Sequence, residues 1–100
     1  MTLPVKFLNT AEIEASDAID WYEERETGLG TAFRESVEAA ISSIQENPLA
    51  FPITHGTIVR RAQVRRFPYS VFFTIQPERI LIYSVFHTSQ NPIIWQGRID

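Results

Sequence analysis

Apolar positions in the first half of the chain recur with the period of a helix. Ala11, Ala15, Ala18, Ile19 and Tyr22 fall at i, i+4, i+7, i+8 and i+11, while Glu12, Asp17, Asp20, Glu23 and Glu24 take most of the remainder. This predicts a helix opening near Thr10, with Asn9 as N-cap and Glu12 completing a capping box. Gly28-Leu29-Gly30 interrupts the pattern, because glycine is costly inside a helix and tolerates the positive φ that ends one. A second stripe follows in Phe33, Val37, Ala40, Ile41 and Ile44, and Asn47-Pro48 closes it. So short a connection predicts an antiparallel helical hairpin.

Elsewhere the pattern is that of strands. Val5 to Leu8 reads as a short first strand. Beyond a loop marked by Pro48, Pro52 and His55-Gly56, β-branched and aromatic residues dominate, which predicts strands at about Ile58 to Val64, Tyr69 to Gln76 and Arg79 to His87. Pro77-Glu78 supplies a tight turn, and Arg65 to Pro68 a corner. The expected fold is α+β, with an N-terminal strand, a helical hairpin and a three-stranded antiparallel meander sharing one core in two layers over residues 1–100. Trp21, Tyr22 and Phe33 are expected where helices meet sheet, and Ile93, Ile94 and Trp95 as a lid on the core or an anchor for a partner.

Composition narrows this picture. A chain of 100 residues with 44% apolar side chains is the size of one folded domain. Cysteine is absent, which removes disulfides, thiolate metal sites and a cysteine nucleophile. No secretory signal is expected at the N-terminus, and the uncharged run from Ile80 to Gly97 is broken by polar residues from His87 to Pro92, so the expectation is a cytoplasmic protein with no membrane segment.

Charge is the most uneven property. Residues 1–50 carry ten acidic against three basic side chains, a balance of −7, whereas residues 51–100 carry six arginines against Glu78 and Asp100, a balance of +4. Arg60, Arg61, Arg65 and Arg66 lie within seven residues, immediately before Phe67-Pro68-Tyr69. Guanidinium forks so arranged suit carboxylates or phosphates, and equally suit pairing with the acidic helices. Arg60 and Arg61 must point to opposite faces of a strand, so the cluster divides. His87 offers an imidazole at the end of the last strand, either a general base or a hydrogen-bonded structural group. Neither a catalytic partner nor a metal-ligand spacing accompanies it, so the structural role, no metal and no cofactor are expected. Carboxylate pairs such as Asp20 and Glu24 read as a solvated helix face.

Several short motifs, in order, resemble the RelE/ParE superfamily of type II toxin–antitoxin toxins, and its ParE-like plasmid stabilisation branch in particular. They are Phe7, Trp21-Tyr22, Gly28-Leu29-Gly30 with Phe33, Asn47-Pro48, Arg60-Arg61, Arg66-Phe67-Pro68-Tyr69, and Val85-Phe86-His87 followed by Pro92 and Trp95. The resemblance implies a bacterial toxin held by a cognate antitoxin that lies over the hairpin and sheet, with Trp21, Tyr22 and Phe72 as its contacts. It further implies a target surface formed by Arg60, Arg61, Arg65, Arg66, His87, Gln90 and Trp95. ParE-like members poison DNA gyrase without chemistry of their own, and RelE-like members cut messenger RNA on the ribosome with basic residues. At the positions of those basic residues this chain reads Arg61, Gln63, Ser70 and Gln90, and only one is cationic. Glutamine and serine neither offset a phosphate charge nor shuttle a proton well, so gyrase inhibition is the expected activity. The alternatives are a ribosome-dependent endoribonuclease using Arg61 and His87, or a non-toxic antitoxin-binding homologue. The last arises because Gln90 stands where the branch usually carries an arginine before the proline.

Overall fold

A computed structural model of the chain describes residues 2–54 and 58–88. The loop at His55-Gly56 and the segment holding Gln90, Pro92 and Trp95 lie outside the described residues. The elements run β1 (Val5–Phe7), α1 (Asn9–Arg25), α2 (Leu29–Glu46), a 3-10 turn (Pro48–Ala50), β2 (Arg60–Gln63), β3 (Tyr69–Ile75) and β4 (Ile80–His87). The described strands form one sheet in the order β1-β4-β3-β2. The meander is antiparallel as predicted. Sequence order did not reveal that β1 pairs with β4 in parallel, Val5 opposite Ile80 and Phe7 opposite Ile82, with the hairpin as the crossover between them.

The expected capping box does not form. Leu8, in extended geometry, is the N-cap of α1, and no side chain caps it. The reason is the sheet: the Leu8 N–H donates to the Ile82 carbonyl at 3.0 Å, so strand pairing runs up to the helix and Asn9 is already helical. At the other end, Gly28 adopts φ 91° and opens α2. Gly30 serves a different purpose, since a Cβ there would stand 2.5 Å from the Ile19 carbonyl oxygen and 2.9 Å from Glu23 Cβ. The two helices therefore touch backbone to backbone at this point. Glu23 fastens the contact, its Oε2 accepting from Gly28 N at 2.9 Å and its Oε1 from Gly30 N at 3.0 Å. A carboxylate on the first amides of a helix satisfies donors that have no helical partner and faces the positive end of the helix dipole.

Both predicted stripes face the sheet. Ala11, Ala18, Phe33, Val37 and Ile44 are buried against Ala62, Val64, Val71, Phe73, Ile80, Ile82 and Val85. Phe33 is fully buried and rings with Tyr22, Phe67 and Tyr69 at centroid distances of 5.2, 5.1 and 4.9 Å. Trp21 corrects the expectation for its position: it is half-exposed on the outer face of α1, with the Arg25 guanidinium 3.7 Å from its ring centre.

A bulge keeps β4 in phase with the core. Phe72 pairs with Ser84 and Phe73 with Ile82, so Tyr83 is an extra residue on β4. The inward set therefore shifts from Ile80 and Ile82 to Val85, and Phe86 turns to the other face. Glu14 on α1 accepts from Ser84 Oγ at 2.9 Å and from Val85 N at 3.2 Å, tying helix to bulge.

Candidate functional site

Strand β2 is shorter than predicted because its ladder to β3 runs only from Arg60 opposite Phe73 to Gln63 opposite Ser70. Alternation along those four residues decides where each arginine goes. Arg60 lies on the helix side and donates to the Phe51 carbonyl at 2.6 Å, a tether for the segment after α2. Arg61 lies on the outer face, away from the helices. Its Nε donates to Ser70 Oγ at 2.9 Å and its Nη2 to Gln63 Oε1 at 3.1 Å. Gln63 in turn donates from Nε2 to the Tyr69 carbonyl at 3.0 Å, with longer approaches to Phe67 and Val64 carbonyls at 3.4 and 3.5 Å. Arg61, Gln63 and Ser70 are thus one connected unit, whose only charge is the guanidinium.

The same unit holds the β2–β3 corner. Val64 N donates to the Tyr69 carbonyl at 2.9 Å, and Tyr69 N closes a three-residue turn over Pro68 by donating to Phe67 O at 2.8 Å. Phe67 is buried between Tyr22 and Phe33 and anchors the corner in the core. Arg65 and Arg66 stand exposed at its tip. Arg66 has φ 74°, the one positive φ outside glycine among the described residues, and its guanidinium carbon sits 5.6 Å from the Phe67 ring centre.

His87 is elsewhere. It pairs with Tyr69 in the sheet and its ring meets the Tyr69 ring at 5.1 Å. Tyr69 and Ser70 are neighbours on β3 and point to opposite faces, so Arg61 and His87, the pair a nuclease would need, are not brought together. Burial pushes the Tyr69 phenol above its usual pKa, with Tyr22 and Glu14 adding to the rise, and burial does the same to Tyr22. Neither phenol is poised to give up a proton near neutrality. No group of three or more His, Cys, Asp or Glu among the described residues is placed to hold a metal.

The residues expected to meet an antitoxin also separate. Trp21 is exposed on α1, Tyr22 is half-buried in the aromatic cluster, and Phe72 is buried with Val59 and Phe86 on the outer face of the sheet. Ile13, two turns before Trp21 on the same helix, is exposed as well, and Asp17, Asp20 and Glu24 lie around the two. Sequence reading missed Glu14, which it did not single out, and Glu23, which it left on the solvated side. Glu14 follows Ala11 by three and precedes Ala18 by four, a spacing that marks the flank of the buried stripe.

Comparison with known proteins bears on the family and the fold. Residues 5–92 match the profile of the ParE toxin of type II toxin–antitoxin system, parDE. No curated protein sequence matches the chain. A solved chain from the chromosomal ParDE TA system of P. aeruginosa is similar in structure, with a TM-score of 0.70 at 17% identity, over 88% of this chain and 98% of that one. No helix among the described residues is long and apolar enough to cross a membrane.

Proposed function

The chain belongs to the ParE family of type II toxins, and on that premise we propose that it inhibits DNA gyrase in the bacterial cytoplasm without chemistry of its own, until a cognate antitoxin covers it. The observation that carries this reading is the Arg61, Gln63 and Ser70 unit. Its guanidinium already spends two donors on neighbours, and the unit holds no residue able to take and return a proton near pH 7. Such an arrangement binds and orients; it lacks what phosphodiester cleavage requires.

The antitoxin is proposed to dock on the outer face of α1 rather than on all three residues read from the sequence. Ile13 and Trp21 offer two apolar anchors about 12 Å apart along the axis, set among carboxylates, and this suits a basic amphipathic segment. Tyr22 supports that face from beneath, and Phe72 belongs to the sheet. Truncating Trp21 to alanine is expected to weaken the complex at least tenfold while lowering the melting temperature of the free chain by only a few degrees, the cost of its contacts with Tyr22 and Arg25. A titration calorimetry trace identical to that of the unaltered chain would remove α1 from the interface.

Induced expression in a bacterial host, read by colony formation, plasmid topology and message integrity, tests the main reading. Arrest with altered supercoiling and intact messages is the expected result. Arrest with cut messages would replace it with the endoribonuclease, and unimpaired growth with the non-toxic homologue.

A further inference from the structure

The β2–β3 corner pairs rigidity with an uncompensated charge. Every backbone feature around it is fixed: Phe67 is buried, Pro68 is spanned by the Tyr69 to Phe67 hydrogen bond, and Gln63 ties into the carbonyls. At the tip of this held corner the chain places an arginine at φ 74°, a region glycine or asparagine occupies at far less cost. Among the described residues, Arg65 and Arg66 have no carboxylate or carbonyl partner, although ten acidic side chains occupy the first 50 residues. The expectation that the cluster merely neutralises the helices therefore fails for these two. Strain kept at an exposed position, where the side chain's contact among the described residues is the 5.6 Å approach of its guanidinium to the Phe67 ring, points to a use outside the fold.

We infer that Arg65 and Arg66 form a preorganised cationic tip that docks a carboxylate-bearing segment of the toxin's target protein, with Arg61 as the positioning residue that holds the corner through Gln63. This rests on the reading of the chain as a toxin acting on a protein, and names the chemistry of the first contact. A protein segment fits better than nucleic acid for two reasons. Among the described residues, the aromatic rings beside the tip are already engaged with one another, the buried Phe67 with Tyr22 and Phe33, and Tyr69 with Phe33 and His87, so the tip does not carry the free, exposed ring on which a base stacks best. The molecule carries a net charge of −3 with an acidic helical hairpin, which repels a long polyanion but accommodates a short acidic stretch at one corner.

The strain makes a sharp test possible, because one substitution moves stability and function in opposite directions. In Arg66→Gly the left-handed backbone is relieved, so the melting temperature is expected to rise by roughly 4 °C, while growth arrest on induction falls at least tenfold. Arg66→Lys keeps both charge and strain but not the guanidinium fork, and should retain part of the arrest, more than the glycine variant and less than the unaltered chain. A glycine variant that melts higher yet arrests growth as before would overturn the inference, and so would one that melts no higher than the unaltered chain. Supercoiling by purified gyrase is read in parallel: loss of arrest with no effect of the unaltered chain on gyrase would remove gyrase as the target and leave the tip standing. A mobility shift of plasmid DNA by the unaltered chain alone, abolished in Arg66→Gly, would assign the tip to nucleic acid and overturn the choice of partner.

Discussion

The sheet presents two faces built from the same four strands. Toward the helices, Val71, Phe73, Ile80, Ile82 and Val85 meet Phe33, Val37 and Ile44 in one continuous apolar layer. On the other side, Val59, Phe72 and Phe86 form a small cluster beside Arg61, Gln63, Ser70 and the buried Thr74, whose hydroxyl finds no hydrogen-bond partner among the described residues. One face is optimised for burial and the other tolerates polar groups that burial alone would remove. If the proposed reading holds, stability and action are carried on opposite sides of one sheet, and variants on the two sides should separate folding from toxicity.

The largest effect belongs to the helix side. Phe33→Ala removes a fully buried ring from the aromatic cluster and should cost about 3–5 kcal/mol, enough to lower the denaturant midpoint substantially. A midpoint that hardly moves would mean that the ring is not the keystone described. Next comes the fastening between the helices: Glu23→Ala abandons the amides of Gly28 and Gly30 and should cost about 1 kcal/mol, the ordinary worth of a helix cap, with Glu23→Gln recovering part of it. Equal melting of the alanine and glutamine variants would show that the side-chain oxygens contribute nothing.

Two smaller effects sharpen the contrast. Thr74→Val replaces a buried hydroxyl that has no partner among the described residues by a methyl of similar shape and should gain about 1 kcal/mol, read as a higher melting temperature. A loss instead would place a partner on that hydroxyl. High pH probes the helix side once more. Because the Tyr22 and Tyr69 phenols are raised in the fold, the unfolded chain loses those protons first. Stability is therefore flat below the ordinary phenol value of about 10 and falls as pH climbs beyond it toward the raised values. Tyr69→Phe should make that alkaline fall shallower, and chemical denaturation between pH 8 and 11 would reveal it.

What could be read from the chain follows from what is periodic. Both helical stripes and the meander show in spacing alone, and so does the division of Arg60 from Arg61, because alternation along a strand admits no other outcome. The parallel pairing of β1 with β4 is set by two segments some 75 residues apart, and neither carries a local mark of it. The bulge at Tyr83 is equally silent, since Ile80 to His87 reads as a uniform apolar run in which one extra residue alters nothing visible. Glu14 and Glu23 look like solvent-facing carboxylates until tertiary contact supplies a bulge and two glycines for them to bind. For the candidate site, resemblance picked out Arg61, Gln63 and Ser70, and the fold joins them. It keeps His87 apart and sends Trp21, Tyr22 and Phe72 to three different surroundings, because one residue's shift along a helix or strand changes the face it serves.

The most direct test of the separation between the two faces is a supercoiling assay with purified gyrase, comparing the unaltered chain with Arg61→Ala and recording the melting curve of each. The account predicts that the unaltered chain blocks supercoiling and that Arg61→Ala, still cooperatively folded though melting some degrees lower for the bond lost by the buried Ser70 hydroxyl, does not. Full inhibition by a folded Arg61→Ala variant, or no inhibition by the unaltered chain, would contradict it.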